Sequence, residues 1–132
     1  MKQFVLLLNF LLVFLAVNAQ EEKECKTIRT GTFRSVLNIG GEEFVTMIYR
    51  KKDKQVEEST AQGIKMEFDV KWTSPCTYEL SKPKVIKGEV PGVSSDQLLY
   101  VKILSVTKES YTAEVSSNFF AGTTIFDFTI IK

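Results

Sequence analysis

There is no histidine anywhere in the 132 residues. Without an imidazole the chain has no serine or cysteine triad of the usual kind and no histidine metal site. Glycine is thin and scattered, at 31, 40, 41, 63, 88, 92 and 122, and no phosphate-cradling loop is spelled by it. Carboxylates come as adjacent pairs, Glu21 with Glu22, Glu42 with Glu43 and Glu57 with Glu58. Neighbours in a strand face opposite ways, which is poor geometry for a glycosidase pair. These absences argue for a protein that is not an enzyme and carries no cofactor and no metal.

An excess of either charge is missing too. Seventeen Lys and Arg stand against sixteen Asp and Glu, and setting aside Lys2, which belongs to an N-terminal leader, leaves sixteen of each. A balanced chain exerts no long-range pull on nucleic acid or an anionic membrane, so neither is expected as a partner.

What is present begins with "MKQFVLLLNFLLVFLAVNA", a lysine, an apolar run from Phe4 to Val17 broken only by Asn9, and a small residue, Ala19, before Gln20. This is the layout of a cleaved secretory signal peptide over 1–19. The run is shorter than the roughly twenty apolar residues that cross a bilayer, so a retained anchor is not expected. A lipid anchor is excluded because Cys25 follows "EEKE" and no small-residue tripeptide. The remaining residues, 20–132, suffice for one domain with a modest core. The expectation is a secreted or periplasmic protein whose mature chain does not insert in a membrane.

Two cysteines, Cys25 and Cys76, are all the chain has. An even pair in an oxidising compartment predicts a disulfide. Closing so long a loop removes unfolded-state entropy worth roughly 4 kcal/mol in the chain-entropy model.

Along the mature chain the apolar pattern is almost all period two, and no window of eleven or more residues holds a helical apolar stripe. "TGTFRSVLNI", "EEFVTMIYRKK" and "KQVEESTA" read as three strands. In "GIKMEFDVKWTSPCTYEL", residues 63–80, Ile64, Met66, Phe68, Val70 and Trp72 point one way while Lys65, Glu67, Asp69 and Lys71 point the other. "CTYELSKPKVI" runs back, and "LLYVKILSVT", "SYTAEVSS" and "TTIFDFTIIK" complete about eight strands. Gly40 and Gly41 stand where a hairpin turn needs them, and "KES" is a tight step between the sixth and seventh strands. Sequential strands joined by tight turns predict an all-β antiparallel meander. Its two exposed edges disappear if it curls into a closed or nearly closed small barrel, calycin-like in architecture. A β-sandwich is the alternative, and only the segment 82–97 is long enough for the crossover it needs.

The segments "CKTIRTGTF" (25–33), "YRKKDKQVE" (49–57) and "WTSPCTYEL" (72–80) together resemble a group of small exported proteins of Bacteroidota. Those proteins have a cysteine arm running into a Gly-x-Phe strand, an Arg and Gln-x-Glu hairpin, and a Trp-x-x-x-Cys-x-Tyr-x-Leu strand. The leader ending in Ala-Gln looks like that lineage, and the resemblance covers the first half of the mature chain. Some members bear the name of a DNA topoisomerase IV subunit. A short exported chain with no basic face and no ATP or cleavage motif contradicts that name. The resemblance implies a family and no activity.

Three features are candidates for function. The first is the row Met66, Phe68, Val70 and Trp72, with Phe126, Phe128 and Ile130 of the last strand. An eight-stranded barrel is just wide enough to be filled by its side chains or to hold one small ligand. Seven bulky groups in so short a chain favour filling. The second is Phe119 and Phe120 in an otherwise polar turn, where they either line a portal or, more commonly, fold inward and plug the barrel end. The third is the connection 82–97, long enough to be a lid, although Val85 and Lys87 suggest that strand five simply continues. The cluster Arg50, Lys51, Lys52 and Lys54 reads as a solvated hairpin turn diluted by Asp53. The overall expectation is a non-catalytic module that binds a small apolar ligand, or else an envelope protein with a filled core that binds a protein partner.

Overall fold

The computed structural model describes residues 21–132; the leader assigned to residues 1–19 lies outside the described residues. Eight strands follow in order: β1 Gly31–Ile39, β2 Glu42–Arg50, β3 Lys54–Ser59, β4 Ile64–Ser74, β5 Thr77–Lys87, β6 Leu99–Val106, β7 Ser110–Ser117 and β8 Thr124–Ile131. Each pairs antiparallel with its neighbours in sequence, and β8 pairs back onto β1, so the meander closes into a barrel. Period-two patterning requires every strand to turn one apolar face away from water, and closure through the β1–β8 pairing gives all eight a shared interior.

The turns sort the two ends of the barrel. At one end lie the β2–β3, β4–β5 and β6–β7 turns together with the N-terminal segment. A short helix over 21–26 precedes β1, and Cys25 is bonded to Cys76 at the β4–β5 turn. Ile28, just after it, is only 1% exposed, and burying such a side chain is worth about 2 kcal/mol. Beneath this plug Phe33 meets Tyr111 edge-on at 5.2 Å between ring centres. Tyr111 in turn stacks on Phe128 at 4.6 Å, and Trp72 lies 4.7 Å from Tyr78. This end is shut.

The other end is laced less tightly. The β1–β8 ladder covers only Thr32–Ser35 and Phe128–Ile131. The β2–β3 ladder covers only Met47–Arg50 and Gln55–Glu58, and β5 meets β6 only over Thr77–Leu80 and Leu99–Lys102. The distal half of the β1–β2 hairpin, turning on Gly40 and Gly41 with φ of 59° and 85°, therefore pairs with nothing but itself. It stands as one wall of an open mouth.

β5 forms the opposite wall. Sequence patterning allows 82–97 to be a single long connection, but β5 runs on to Lys87 and the connection shortens to 88–98. The strand survives Pro83 because a bulge sets Lys82 and Pro83 against the single residue Phe68, between the pairs Asp69–Ser81 and Glu67–Lys84. Lys82 takes a φ of 49° to make it. A proline in that position asks no ladder hydrogen bond of its missing N–H.

The outward face carries charge, with Lys65 bridging to Glu58 at 3.2 Å and Lys54 paired with Asp69. No helix among the described residues is long and apolar enough to cross a membrane.

Candidate ligand cavity

Between the plug and the mouth lies a cavity of about 490 Å³. Its walls come from the inward face of nearly every strand, including Leu37 and Phe44 of the β1–β2 wall, Leu80, Leu99, Val115 and Phe126. The seven bulky groups expected to fill the barrel do not fill it. Val70 is buried and Trp72 half-buried toward the shut end, which concentrates aromatic volume there and leaves the mouth half open.

The floor of the cavity is polar and is organised by one cation. Arg50 is 3% exposed. Its Nε donates to Gln55 Oε1 at 2.7 Å, Nη1 to the Ile28 carbonyl at 2.8 Å, and Nη2 to the hydroxyls of Tyr78 and Tyr111 at 2.8 and 2.9 Å. The guanidinium also lies over the rings of Phe33 and Tyr78, 4.8 and 4.6 Å from their centres. A buried charge is tolerated only when hydrogen-bonded this thoroughly, and aromatic faces add to its stabilisation. Through the Ile28 carbonyl the same residue ties the plug to the barrel.

The floor continues toward the mouth. Gln55 donates from Nε2 to Glu57 Oε1 at 2.7 Å, so the amide links cation to carboxyl. Glu57 is half-buried, lines the cavity and lies two residues nearer the mouth on the same face of β3. Burial holds its carboxyl above the usual carboxylate range, against the opposing pull of Gln55 and Arg50. Burial likewise pushes the Tyr78 phenol well above its ordinary value and the Tyr111 phenol upward. Both phenols therefore stay protonated and serve as hydrogen-bonding groups rather than bases.

The position of Arg50 corrects a sequence expectation. Composition groups it with Lys51, Lys52 and Lys54 as a solvated turn, and those three are exposed while Arg50 is buried. Strand phase is the signal that separates them: Arg50 continues the inward series Phe44, Thr46 and Ile48, just as Gln55 and Glu57 share one face of β3.

The predicted site residues divide among three places. Phe126 and Phe128 line the main cavity. Met66 and Phe68 line a second, smaller cavity of about 210 Å³ beneath Pro83, Val90 and Pro91. Val70 and Trp72 line neither and belong to the packed end, where the Arg29 guanidinium lies 5.0 Å over the Trp72 ring. Phe119 and Phe120 are 50% and 42% exposed, so they do not plug the barrel. Phe120 lines the main cavity and Phe119 the smaller one, their rings edge-on at 5.2 Å. Leu80 and Leu99 line both chambers and form the partition between them. Asn118 anchors this turn to the 88–98 connection, accepting from Leu98 N–H at 2.8 Å and donating to the Asp96 carbonyl at 2.9 Å.

No family model, no curated protein and no solved structure matches this chain.

Proposed function

We propose that this is an exported, non-catalytic binding module that holds one small apolar ligand inside its barrel. The observation that carries the reading is the cavity itself, about 490 Å³, closed at the plugged end and open at the mouth. That volume falls within the roughly 300–1,000 Å³ of small-molecule sites. Apolar walls with a few convergent polar groups at one end are the usual make-up of such sites. Export is supported by the leader pattern and by the disulfide, which persists in oxidising compartments. Glu57, the carboxyl with a raised pKa, bonds to Gln55 and not to a serine or threonine that it could activate.

A second reading rests on the half-laced rim. Val36–Ile39 of β1 and Thr124–Asp127 of β8 each lack a partner on the side where they should meet, and a strand of another protein could pair there. Native mass spectrometry with solvent extraction, on protein taken from its own host without detergent, separates the two. A defined apolar molecule bound one to one is the expected result. A bare mass with nothing extracted would transfer the function to the rim.

A further inference from the structure

If the cavity holds a ligand, as proposed above, the chemistry of its floor selects the ligand's head, and the selectivity inferred for it rests on that reading. An arginine at the floor of an apolar barrel invites the expectation of a carboxylate ligand, but here the arginine is already occupied. All three of its nitrogens donate to groups of the chain itself, aromatic rings cover it, and almost none of it is exposed. Of the two charged groups that line the cavity, Arg50 and Glu57, the one with hydrogen-bonding capacity left open is the Glu57 carboxyl. It lines the cavity on the mouth side of Gln55, and its Oε1 is the oxygen bonded to that amide. A carboxylate head would therefore meet a second acid before it met the cation, at a half-buried position where the repulsion is screened less than in open water. A head that donates hydrogen bonds would complete the acceptor capacity of Glu57, which Gln55 leaves partly open.

We infer that the cavity takes an amphiphile with an apolar body and a donor head, an alcohol, amide or alkylammonium, seated on Glu57, and that it rejects the corresponding free carboxylate. The apolar body lies along Leu37, Phe44, Leu80, Val115 and Phe126 toward Phe120 at the mouth. Arg50 acts at one remove, orienting Glu57 through Gln55.

Three probes of equal chain length test this: decylamine, decanol and decanoate, titrated below their micelle-forming concentrations by calorimetry. The protein is the full chain expressed with its leader and collected from the periplasm. At a pH alkaline enough to ionise Glu57, whose pKa burial raises, the amine and the alcohol should each bind at least about tenfold more tightly than decanoate, a margin a single like-charge contact readily supplies. Glu57→Gln should bring amine and carboxylate to within about threefold of each other, because it removes the charge and turns one acceptor oxygen into a donor. The wild-type ranking decides the matter without the variant. Decanoate binding as well as decylamine would overturn the inference and leave the cavity reading standing. Failure of all three probes to bind would overturn both.

Discussion

Glu57 and Arg50 share an interior and differ in what each has left to offer. The guanidinium is enclosed by partners, whereas the carboxyl is half-buried with part of its acceptor capacity open. Because burial raises the Glu57 pKa, the folded chain holds that proton more tightly than the unfolded chain, where a glutamate titrates near 4.3. The stability this contributes is complete below about pH 4.3 and is lost as pH rises through the raised value. The other ionisable groups facing it, Arg50, Tyr78 and Tyr111, keep their protons throughout that window. Asp69 works in the opposite sense, its carboxyl held below the ordinary range by its hydrogen bond from Lys54, so total stability is a mixed signal. The difference between wild type and Glu57→Gln isolates the contribution of Glu57. In urea unfolding from pH 4 to pH 7, wild type should lose stability relative to the variant as pH rises, and a constant difference would show that Glu57 is no harder to ionise folded than unfolded. Of these residues the sequence makes legible only that Glu57 and Glu58 face opposite sides of their strand, not which of them turns inward. Arg50 is masked by its basic neighbours, since a run of charge draws the eye to composition while burial is decided by strand phase.

At the level of strands, hairpins and alternation are fully legible because they are written locally, residue against next residue. The bulges of β5 are not, because a bulge is a property of two strands in register and only one of them is being read. The same limit explains the expected filled interior: side-chain volume can be counted along a sequence, but the space it must fill is set by barrel circumference and by which end the large rings occupy. β5 also ends in a close approach that only the folded molecule reveals. A side-chain carbon on Gly88 would lie 2.5 Å from the Gly63 carbonyl oxygen, with φ at +82°. Gly92 shares the conformation, φ +79°, but has nothing within 4 Å. Gly92→Ala should therefore cost only the left-handed backbone penalty, about 1–2 kcal/mol. Gly88→Ala should cost about 1–3 kcal/mol more, for the backbone shift forced where the β3–β4 turn meets β5. Equal losses for the two variants in chemical denaturation would mean that this contact yields without resistance.

For the molecule as a whole, the Cys25–Cys76 bond joins residues 51 apart in sequence and fastens the plug over the shut end. Reduction, or replacement of both cysteines by alanine, should lower stability by about 4 kcal/mol, measured as the shift in denaturation midpoint with and without reductant. A shift under about 1 kcal/mol would show that the Ile28 carbonyl's bond to Arg50 and the packing of Ile28 hold the plug unaided. The uneven lacing of the barrel has a kinetic meaning of its own. Its base is held by ladders between every pair of neighbouring strands, by rings and by a covalent bond, while its rim ends in strand segments hydrogen-bonded on one side only. Fluctuations that part the rim need not disturb the base, because they break few ladder bonds and uncover little of the core. Local opening of the rim can then recur many times within one lifetime of the fold, because global unfolding must also break the base.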